Sequence, residues 1–555
     1  MDLVSRVLLR SLILPAATTI LFTSFAFIDV VSAQVVTEAA PFEVNTEDAD
    51  LEKGLDFERA RLWTDAIRHY ESATRKYPTS TRLYQRLVIS RLHSDVNRRF
   101  QDESYKESLT DLGVGQALDL YSEILANLQT HYVGDVDWSR IQVHGTAALE
   151  VALTEDGFLK TLAPNVDRKK IESFRQSIHH RLQNRNTSTR FDLRANAAFV
   201  ADVAKQEIGI SPTATVMEFM SGSVSTLDPY TRLLSPSQLG EMFNNIEGNF
   251  VGLGIELKAN KDNLQILSVI PKGPAEEAGI VAGEKIVGVD TSRTNVVDPD
   301  YVADLLRGPE HSYVNLVIAG IDGEERRMSV QRRRVEVPCV ENVHFVDVEN
   351  RVGYLRLTNF QKTTTRDVEK ALWTLHREGM RSLVIDVRGN PGGLLSAAVE
   401  IADRFIGQGR ILTTRGRNVR ENYDYMAHRP NTWNVPLAVL VDRDSASASE
   451  IFAGAIADSG RGAIVGETSY GKGSVQGIFR MQSAKFGLCL TTAKFYSPSG
   501  KAISQNGVTP TIPVEPTYIA ARPNDTGELT RDIDDAVLVK AIEHFGDRTM
   551  ISQRP

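Results

Sequence analysis

The sequence predicts a multidomain α/β protein, in which a helical N-terminal region precedes a small β-rich domain and a core of alternating strands and helices. Its 555 residues exceed what one hydrophobic core usually holds, and 42% of them are hydrophobic. Apolar residues recur at helical spacing between residues 54 and 240, and short β runs follow between 247 and 334. From residue 351 onward, apolar strands alternate with amphipathic helices, which indicates an α/β core.

Charge and cysteine content exclude several functional classes. The net charge of −8 argues against nucleic acid as the main partner, because nucleic-acid binding requires a basic face. The two cysteines, Cys339 and Cys489, have apolar neighbours, which favours buried free thiols, although they could pair in an oxidising compartment. Neither the cysteines nor the histidines form a metal-ligand pattern, so we expect no metal and no cofactor.

Residues 1–33 have the pattern of a secretory signal. Arg6 and Arg10 supply the positive charge, an apolar run spans residues 12–28, and small residues at the end form a cleavage site. The alternative is an uncleaved membrane anchor, but a run of about 17 residues is marginal for spanning a bilayer. We therefore expect an exported, periplasmic or otherwise extracytoplasmic protein, membrane-anchored if the signal is retained. A polar, acidic linker is predicted at residues 34–50.

Residues 51–100 are predicted to form a tetratricopeptide-like helical segment, with an ordinary helical hairpin as the alternative. The repeat is indicated by the order of large and small residues, namely Gly54, Phe57, Trp63, Ala66, Tyr70, Ala73 and Pro78. A single repeat cannot bury its apolar face alone, so the segment should pack on the rest of the chain or on an adaptor protein. A further helical region is predicted at residues 101–240, with its charged middle part exposed.

Residues 241–335 resemble a PDZ domain, because a glycine-bearing loop is followed by short strands and two short helices. Strands are predicted at 264–269, 286–289 and 314–318, and the helices at 275–278 and 301–306. Domains of this type bind an extended peptide along a sheet edge and hold its terminal carboxylate with loop amides. The residues predicted to receive the carboxylate are Phe250, Gly252, Leu253, Gly254 and Ile255.

The α/β core is predicted at residues 336–520, followed by a C-terminal tail with a helix at 521–555. Three serines, Ser445, Ser447 and Ser449, lie between a buried strand and the start of a helix. A serine at such a junction is close to helix N-terminal amides, which can stabilise an oxyanion. Serine is also a favoured helix cap, so we expect that one of the three caps the helix while another reacts.

A second chemically notable segment places Lys472 between Gly471 and Gly473. Glycines allow the backbone to approach closely, and an enclosed lysine is desolvated, which lowers its pKa. A neutral amine can then act as a general base. A solvated glycine-rich turn is the alternative. A phosphate-binding loop requires Ser or Thr where Gly473 stands, and the S-x-x-K pattern of Ser469 and Lys472 requires a helix that the glycines disfavour.

Together these motifs resemble the C-terminal processing peptidases, the tail-specific proteases of peptidase family S41. The resemblance covers residues 225–516, in which the motifs follow the family's order. The motifs are Leu227-Asp-Pro-Tyr, the PDZ-like block, Asp386-Val-Arg-Gly-Asn-Pro-Gly-Gly, Ser445-Ala-Ser-Ala-Ser-Glu, Thr468-Ser-Tyr-Gly-Lys-Gly-Ser-Val-Gln, Tyr496-Ser-Pro-Ser-Gly and Gly507-Val-Thr-Pro.

The resemblance implies a serine endopeptidase that cleaves exported proteins near their C-termini. It implies Ser447 as nucleophile, 25 residues before Lys472 as base, with Gln476 orienting the lysine amine. The implied oxyanion hole consists of the amides of Ala448 and Gly393, the latter favoured over Gly392. It also implies polypeptide substrates with apolar C-termini and, from the helical N-terminal segment, a homo-oligomer. The alternative function is a catalytically inactive PDZ and repeat scaffold that binds peptides.

Overall fold

The computed structural model describes residues 46–552, except 164, 226, 260–263, 291, 294–304, 307, 429–431, 505 and 516–534. The signal segment and most of the linker predicted from the sequence lie outside the described residues. The chain divides into two compact units, one containing the residues up to 237 together with 476–491, and the other containing 238–475 together with the residues from 492 onward. The predicted multidomain α/β class is confirmed.

The first unit consists mainly of helices. Many of them begin where a Ser, Thr or Asp side chain accepts a hydrogen bond from the first turn, as Asp137 and Thr189 do. The helices are α1 (Thr46–Arg59), α2 (Trp63–Lys76), α3 (Thr81–Gln101), α4 (Glu103–Asp111), α5 (Val114–His131), α6 (Trp138–Ala152), α7 (Asp156–Leu162), α8 (Arg168–Gln183), α9 (Arg190–Ile208) and α10 (Pro212–Ser225).

Helices α1 and α2 form a hairpin whose contact depends on small residues. A Cβ atom at Gly54 would lie 2.2 Å from Cε1 of Tyr70, so only glycine allows the helices to come this close. Ala66 and Ala73 are buried in the same contact, together with Leu83 of α3. The assignment of this hairpin to the tetratricopeptide class stays a prediction.

Helix α8 corrects one expectation. The charged segment around residues 168–194 was expected to be exposed, but α8 buries one face. The buried residues recur at helical spacing and are Ile171, Phe174, Ile178 and Leu182. Also in this unit, strand β1 (Arg232–Leu234) pairs antiparallel with residues 487–489. No helix among the residues described here has the length and apolar content required to cross a membrane.

The second unit contains the PDZ-like block, which the chain enters and leaves through two paired strands. Helix α11 (Pro236–Glu247) leads into β2 (Asn249–Gly252), which pairs antiparallel with the exit strand β9 (Arg333–Glu336). Between them, a sheet has the order β3-β4-β5-β7-β8, with β6 paired to β5. Its elements are β3 (Ile255–Ala259), β4 (Leu264–Val269), α12 (Pro274–Glu277), β5 (Lys285–Val289), β6 (Ser292–Arg293), β7 (Tyr313–Ala319) and β8 (Glu325–Gln331).

The sequence did not identify β8 and β9 as strands, because charged side chains obscure their apolar alternation. In β8 only Val330 is fully buried, while Arg327 and Glu325 face outward. Four residues of the helix predicted at 301–306 lie outside the described residues, and the remaining two, Leu305 and Leu306, are helical. The predicted strand at 264–269 coincides with β4.

The remainder of the second unit is an α/β core around a sheet of order β10-β11-β12-β15-β16-β19. The four strands from β11 to β16 are parallel neighbours, and β10 is an antiparallel edge strand. The sheet strands are β10 (Val340–Asp347), β11 (Val352–Leu357), β12 (Ser382–Asp386), β15 (Leu437–Val441), β16 (Ala463–Gly466) and β19 (Ile512–Pro513). The helices are α13 (Thr364–Arg377), α14 (Leu395–Ala402), α15 (Ala448–Asp458) and α16 (Ala536–Ser552).

Alternate residues of the parallel strands point to opposite faces of this sheet. Leu383 and Ile385 pack with the apolar faces of α13, α14 and α15, whereas Val384 packs with Val537 of α16. The core is therefore a helix–sheet–helix sandwich. The second unit also contains β13 (Arg410–Gly416) and β14 (Tyr423–Met426). Strands β17 (Ser474–Arg480) and β18 (Gly487–Tyr496) each have residues in both units.

Candidate active site

The loops that follow β12 and β15 lie side by side at the carboxyl edge of the parallel sheet and are cross-linked by hydrogen bonds. Ser445 Oγ donates to the carbonyl oxygen of Val387 at 2.8 Å. The Ala446 amide and the Ser449 hydroxyl both donate to the carbonyl oxygen of Asn390, at 3.0 and 2.9 Å. These bonds fix the serine segment against the Asn-Pro-Gly-Gly loop, at the edge where ligands bind in open α/β sheets.

The three serines of this segment differ in what their hydroxyls do. Ser445 and Ser449 are fully buried, and both hydroxyls are used in the bonds between the two loops. Ser447 is half-buried and is the N-cap residue of α15, but its hydroxyl makes no capping hydrogen bond. Its backbone has φ of 55° and ψ of −112°, an unfavourable conformation for a non-glycine residue. Strain of this kind is typical of functional turns, and it distinguishes Ser447 from its neighbours.

A fully buried carboxylate, that of Glu450, connects the serine segment to the lysine segment. Its Oε2 atom accepts hydrogen bonds from the amides of Ser447 at 2.8 Å and Lys472 at 2.9 Å. Its Oε1 atom accepts from the Ser469 hydroxyl at 2.6 Å and the Gly471 amide at 2.7 Å. Because Glu450 stands in the first turn of α15, the helix N-terminus also favours its negative charge. One oxygen atom thus holds the backbones of the predicted nucleophile and base together.

The loop that carries Lys472 requires its glycines. Gly471 has φ of 91°, which favours glycine, and a Cβ atom at Gly473 would lie 2.3 Å from the amide nitrogen of Ser504. The Tyr470 amide donates to the carbonyl oxygen of Ser445 at 3.0 Å, which adds a second link to the serine segment. Lys472 is half-buried in this loop, and the desolvation of its amine stays a prediction.

Two backbone amides at the site are available to bind an oxyanion. The Gly392 amide donates to Oδ1 of Asn390 at 2.9 Å and is therefore already used. Within the described part of the chain, no acceptor is found for the amides of Gly393 and Ala448. A Cβ atom at Gly392 would lie 2.8 Å from Cβ of Ser447 and 2.9 Å from the Ala448 nitrogen. This pattern favours Gly393 over Gly392 as the donor, and its role stays a prediction.

The other predicted site residues lie further along the chain. Gln476 lies in β17, four residues after Lys472, and is partly buried. Its hydrogen bond to the lysine amine stays a prediction. In the PDZ-like block, Leu253 is buried in the core and Gly254 has φ of 78°. A Cβ atom at Gly252 would meet the ring of Phe250 at 2.6 Å, so this glycine also makes room for a neighbouring side chain.

Sequence reasoning missed Glu450 and Asn390. A signal for Glu450 was present, because Ser447-Ala-Ser-Glu450 has the S-x-x-E spacing of a capping box, in which the glutamate accepts from the N-cap amide. No such signal marked Asn390, whose Nδ2 donates to the carbonyl oxygen of Leu357 at 2.7 Å. Both cysteines are buried thiols outside any disulfide bond, as expected. Burial raises the pKa of the Cys339 thiol.

Comparison with known proteins shows two family matches. Peptidase family S41 matches residues 351–514, and the PDZ domain family matches residues 265–320. A carboxy-terminal-processing protease from Bartonella bacilliformis is 35% identical over 303 residues, covering 53% of this chain and 68% of that protein. A carboxyl-terminal-processing protease from Synechocystis sp. is 33% identical over 313 residues, covering 56% of this chain and 72% of that protein.

Among solved structures, the photosystem II D1 C-terminal processing protease is 26% identical and covers 74% of this chain and 96% of that one, with a TM-score of 0.37. The two bacterial relatives each share at least 33% of the aligned residues, and this chain covers more than two thirds of the length of each, 68% and 72%. The chain therefore belongs to the carboxyl-terminal-processing proteases, serine peptidases of family S41.

Proposed function

We propose that the protein is an endopeptidase that uses Ser447 as nucleophile and Lys472 as general base. The neutral lysine amine takes the hydroxyl proton of Ser447 as its oxygen attacks the scissile carbonyl carbon. The amides of Ala448 and Gly393 donate hydrogen bonds to the oxyanion that forms. The resulting ammonium group returns the proton to the leaving amine, and a water molecule then hydrolyses the acyl-enzyme by the same route. Gln476 orients the amine.

The observation that carries this proposal is the shared bond to Glu450 Oε2. The amides of Ser447 and Lys472 both donate to this atom, at 2.8 and 2.9 Å, so the two segments are held in a fixed relation. Such positioning is a large part of enzymatic rate enhancement. A peptide-binding scaffold would have no chemical need for this arrangement, or for the strained backbone and uncapped hydroxyl of Ser447. The enzyme is therefore favoured over the inactive scaffold.

We also propose that the PDZ domain selects substrates with apolar C-terminal residues. The loop from Phe250 to Ile255 would receive the terminal carboxylate, as loop amides do in domains of this type. The exit strand β9 runs directly into the catalytic core through the connection to β10, so peptide binding and catalysis occur on adjoining parts of the chain. Substrates would be exported proteins, the N-terminal helices would offer a surface for an adaptor or a second copy, and the predicted signal would direct the enzyme out of the cytoplasm.

The test uses the full chain and an unstructured protein that ends in apolar residues. The wild type should release fragments from it, and faster than from the same protein ending in charged residues. Ser447→Ala should lower the rate by roughly 10⁴-fold or more. Ser459→Ala is the matched control, because its hydroxyl only bonds to carbonyl groups of the same helix, and it should be fully active.

Two results would count against the peptidase mechanism, and a third would count against the proposed role of the PDZ domain. Cleavage that persists in Ser447→Ala would exclude this serine as nucleophile. A wild-type protein that binds the apolar C-terminus and cleaves no substrate would establish the scaffold function instead. Equal rates on the apolar and charged C-termini would leave the peptidase in place and exclude the proposed role of the PDZ domain.

A further inference from the structure

We propose that Asp535, which directly precedes the C-terminal helix α16, is a positioning residue for the peptidase reaction. It holds Arg388 and, through Arg388, the loop of residues 388–393 that supplies an oxyanion-binding amide. Asp535 touches no reacting atom itself. The inference rests on the proposed function, because it gives the amide of Gly393 a catalytic role.

The contact consists of one guanidinium held between two carboxylates. Arg388 Nη1 and Nη2 donate to the two oxygens of Asp535 at 2.8 and 2.6 Å. Arg388 Nε and Nη2 also donate to Asp386, at 3.0 and 2.6 Å. The Tyr354 hydroxyl completes the cluster with a 2.8 Å bond to Asp386. Paired bonds of this type fix both the position and the plane of the guanidinium.

Asp535 is itself anchored by the helix that it precedes. Its Oδ1 atom accepts a hydrogen bond from the Leu538 amide at 3.1 Å. The inner face of α16, with Val537, Ala541 and Phe545, packs on the central sheet. Since burial of this apolar face holds the helix on the sheet, it also positions the carboxylate that precedes the helix and binds Arg388.

Hydrogen bonds connect the loop that follows Arg388 to the segment that contains Ser447. The next amide, that of Gly389, donates to Oδ1 of Asp442 at 3.0 Å, and this oxygen also accepts from the Ser445 amide at 2.9 Å. The carbonyl oxygen of Asn390 accepts a hydrogen bond from the Ala446 amide, and Gly393 follows three residues after Asn390. A displacement of Arg388 would therefore be transmitted to the oxyanion-binding amide. Without Asp535, Asp386 alone would hold the guanidinium.

The charges of this cluster favour the contact at neutral pH. Burial opposes ionisation of Asp535, but the hydrogen bonds from Arg388 outweigh it and lower the pKa of this carboxyl. A lowered pKa means that the contact is complete above the ordinary range of a carboxyl group and is lost only as the pH falls through that lowered value. Asp535 is 39% exposed and Arg388 is 23% exposed, so salt screens the pair only in part.

The experiment compares Asp535→Asn with the wild type in the full chain. The asparagine keeps the shape of the side chain and loses the charge, so kcat should fall by roughly 10- to 100-fold while KM changes little. Asp535→Glu should recover part of kcat, because it restores the charge at a different distance. Glu543→Gln, which removes an exposed ion pair with Lys540 on the same helix, should be fully active.

A second measurement separates positioning from stability and does not depend on activity. Hydrogen exchange of the amides in residues 388–393 should be faster in Asp535→Asn than in the wild type. Leu372→Ala weakens the packing of α13 on the opposite face of the sheet without touching α16 or Arg388, so it should lower Tm and leave kcat unchanged. Unchanged exchange, or a loss of kcat that Leu372→Ala reproduces at the same loss of Tm, would overturn the role of Asp535. An inactive wild type would instead overturn the proposed function.

Discussion

Replacing Lys472 by methionine is expected to lower kcat by roughly 10²- to 10⁴-fold, the range typical of losing a general base. Methionine keeps an unbranched chain of similar length and removes the amine, so the loop should remain folded. The backbone bond from residue 472 to Glu450 does not involve the side chain and should persist. The measurement is the rate of peptide release under saturating substrate, with circular dichroism as the check on folding.

The pH dependence of the wild type tests the same residue. Only the neutral amine accepts the serine proton, so the rate should rise with pH as the ammonium group loses its proton. Lys485→Met, which alters an exposed lysine outside the residues assigned to the site, serves as the control and should keep both the rate and the pH profile. Activity in Lys472→Met equal to that of the wild type, or rates independent of pH from neutral to alkaline conditions, would contradict a lysine base.

Glu450→Gln is expected to give the second large effect, on both stability and activity. The glutamate oxygens accept four hydrogen bonds, two on each oxygen. In glutamine an NH₂ group replaces one of these oxygens, and it cannot accept the two hydrogen bonds that reach that position. Leaving buried donors without an acceptor should cost about 3 kcal/mol or more of unfolding free energy. The loss of alignment between Ser447 and Lys472 should lower kcat by roughly 10²-fold.

Glu467→Gln is the matched control for this substitution. Glu467 lies in the same part of the chain and pairs with Arg443, which is 65% exposed, so its loss should change stability by at most about 1 kcal/mol. Denaturant unfolding and steady-state kinetics measure the two effects. If Glu450→Gln unfolds like the wild type and keeps its kcat, the carboxylate does not join the nucleophile to the base.

The parts of the fold that the sequence predicted well are the buried ones. The apolar strands predicted from residue 351 onward include β11, β12 and β15, whose apolar runs are nearly continuous because both faces of the sheet are covered. Strand β10 was missed, because four of its successive residues are exposed. Its polar residues break the pattern on which the prediction depends.

The candidate site was predictable where chemistry is confined to short motifs. The serine segment and Lys472 stood out because an oxyanion-binding turn and a glycine-enclosed lysine each have a local signature, whereas the choice of Ser447 among the three serines came from the family resemblance. The contacts that position these residues have no local signature in the sequence. Glu450 acts across 22 residues on Lys472, and Asp535 acts across 147 residues on Arg388, separations that only the folded chain brings together. Tertiary hydrogen bonding of this kind leaves little trace in residue order.

The proposed nucleophile is tested most directly by locating the reactive hydroxyl by mass spectrometry after treatment with a serine-reactive phosphonate. A Ser447–Lys472 mechanism predicts one phosphonate adduct, on Ser447, and its loss in Lys472→Met, because the free hydroxyl is a weak nucleophile without a base. An adduct on Ser445 or Ser449, or an active protease whose Ser447 remains unmodified after full inhibition, would contradict it.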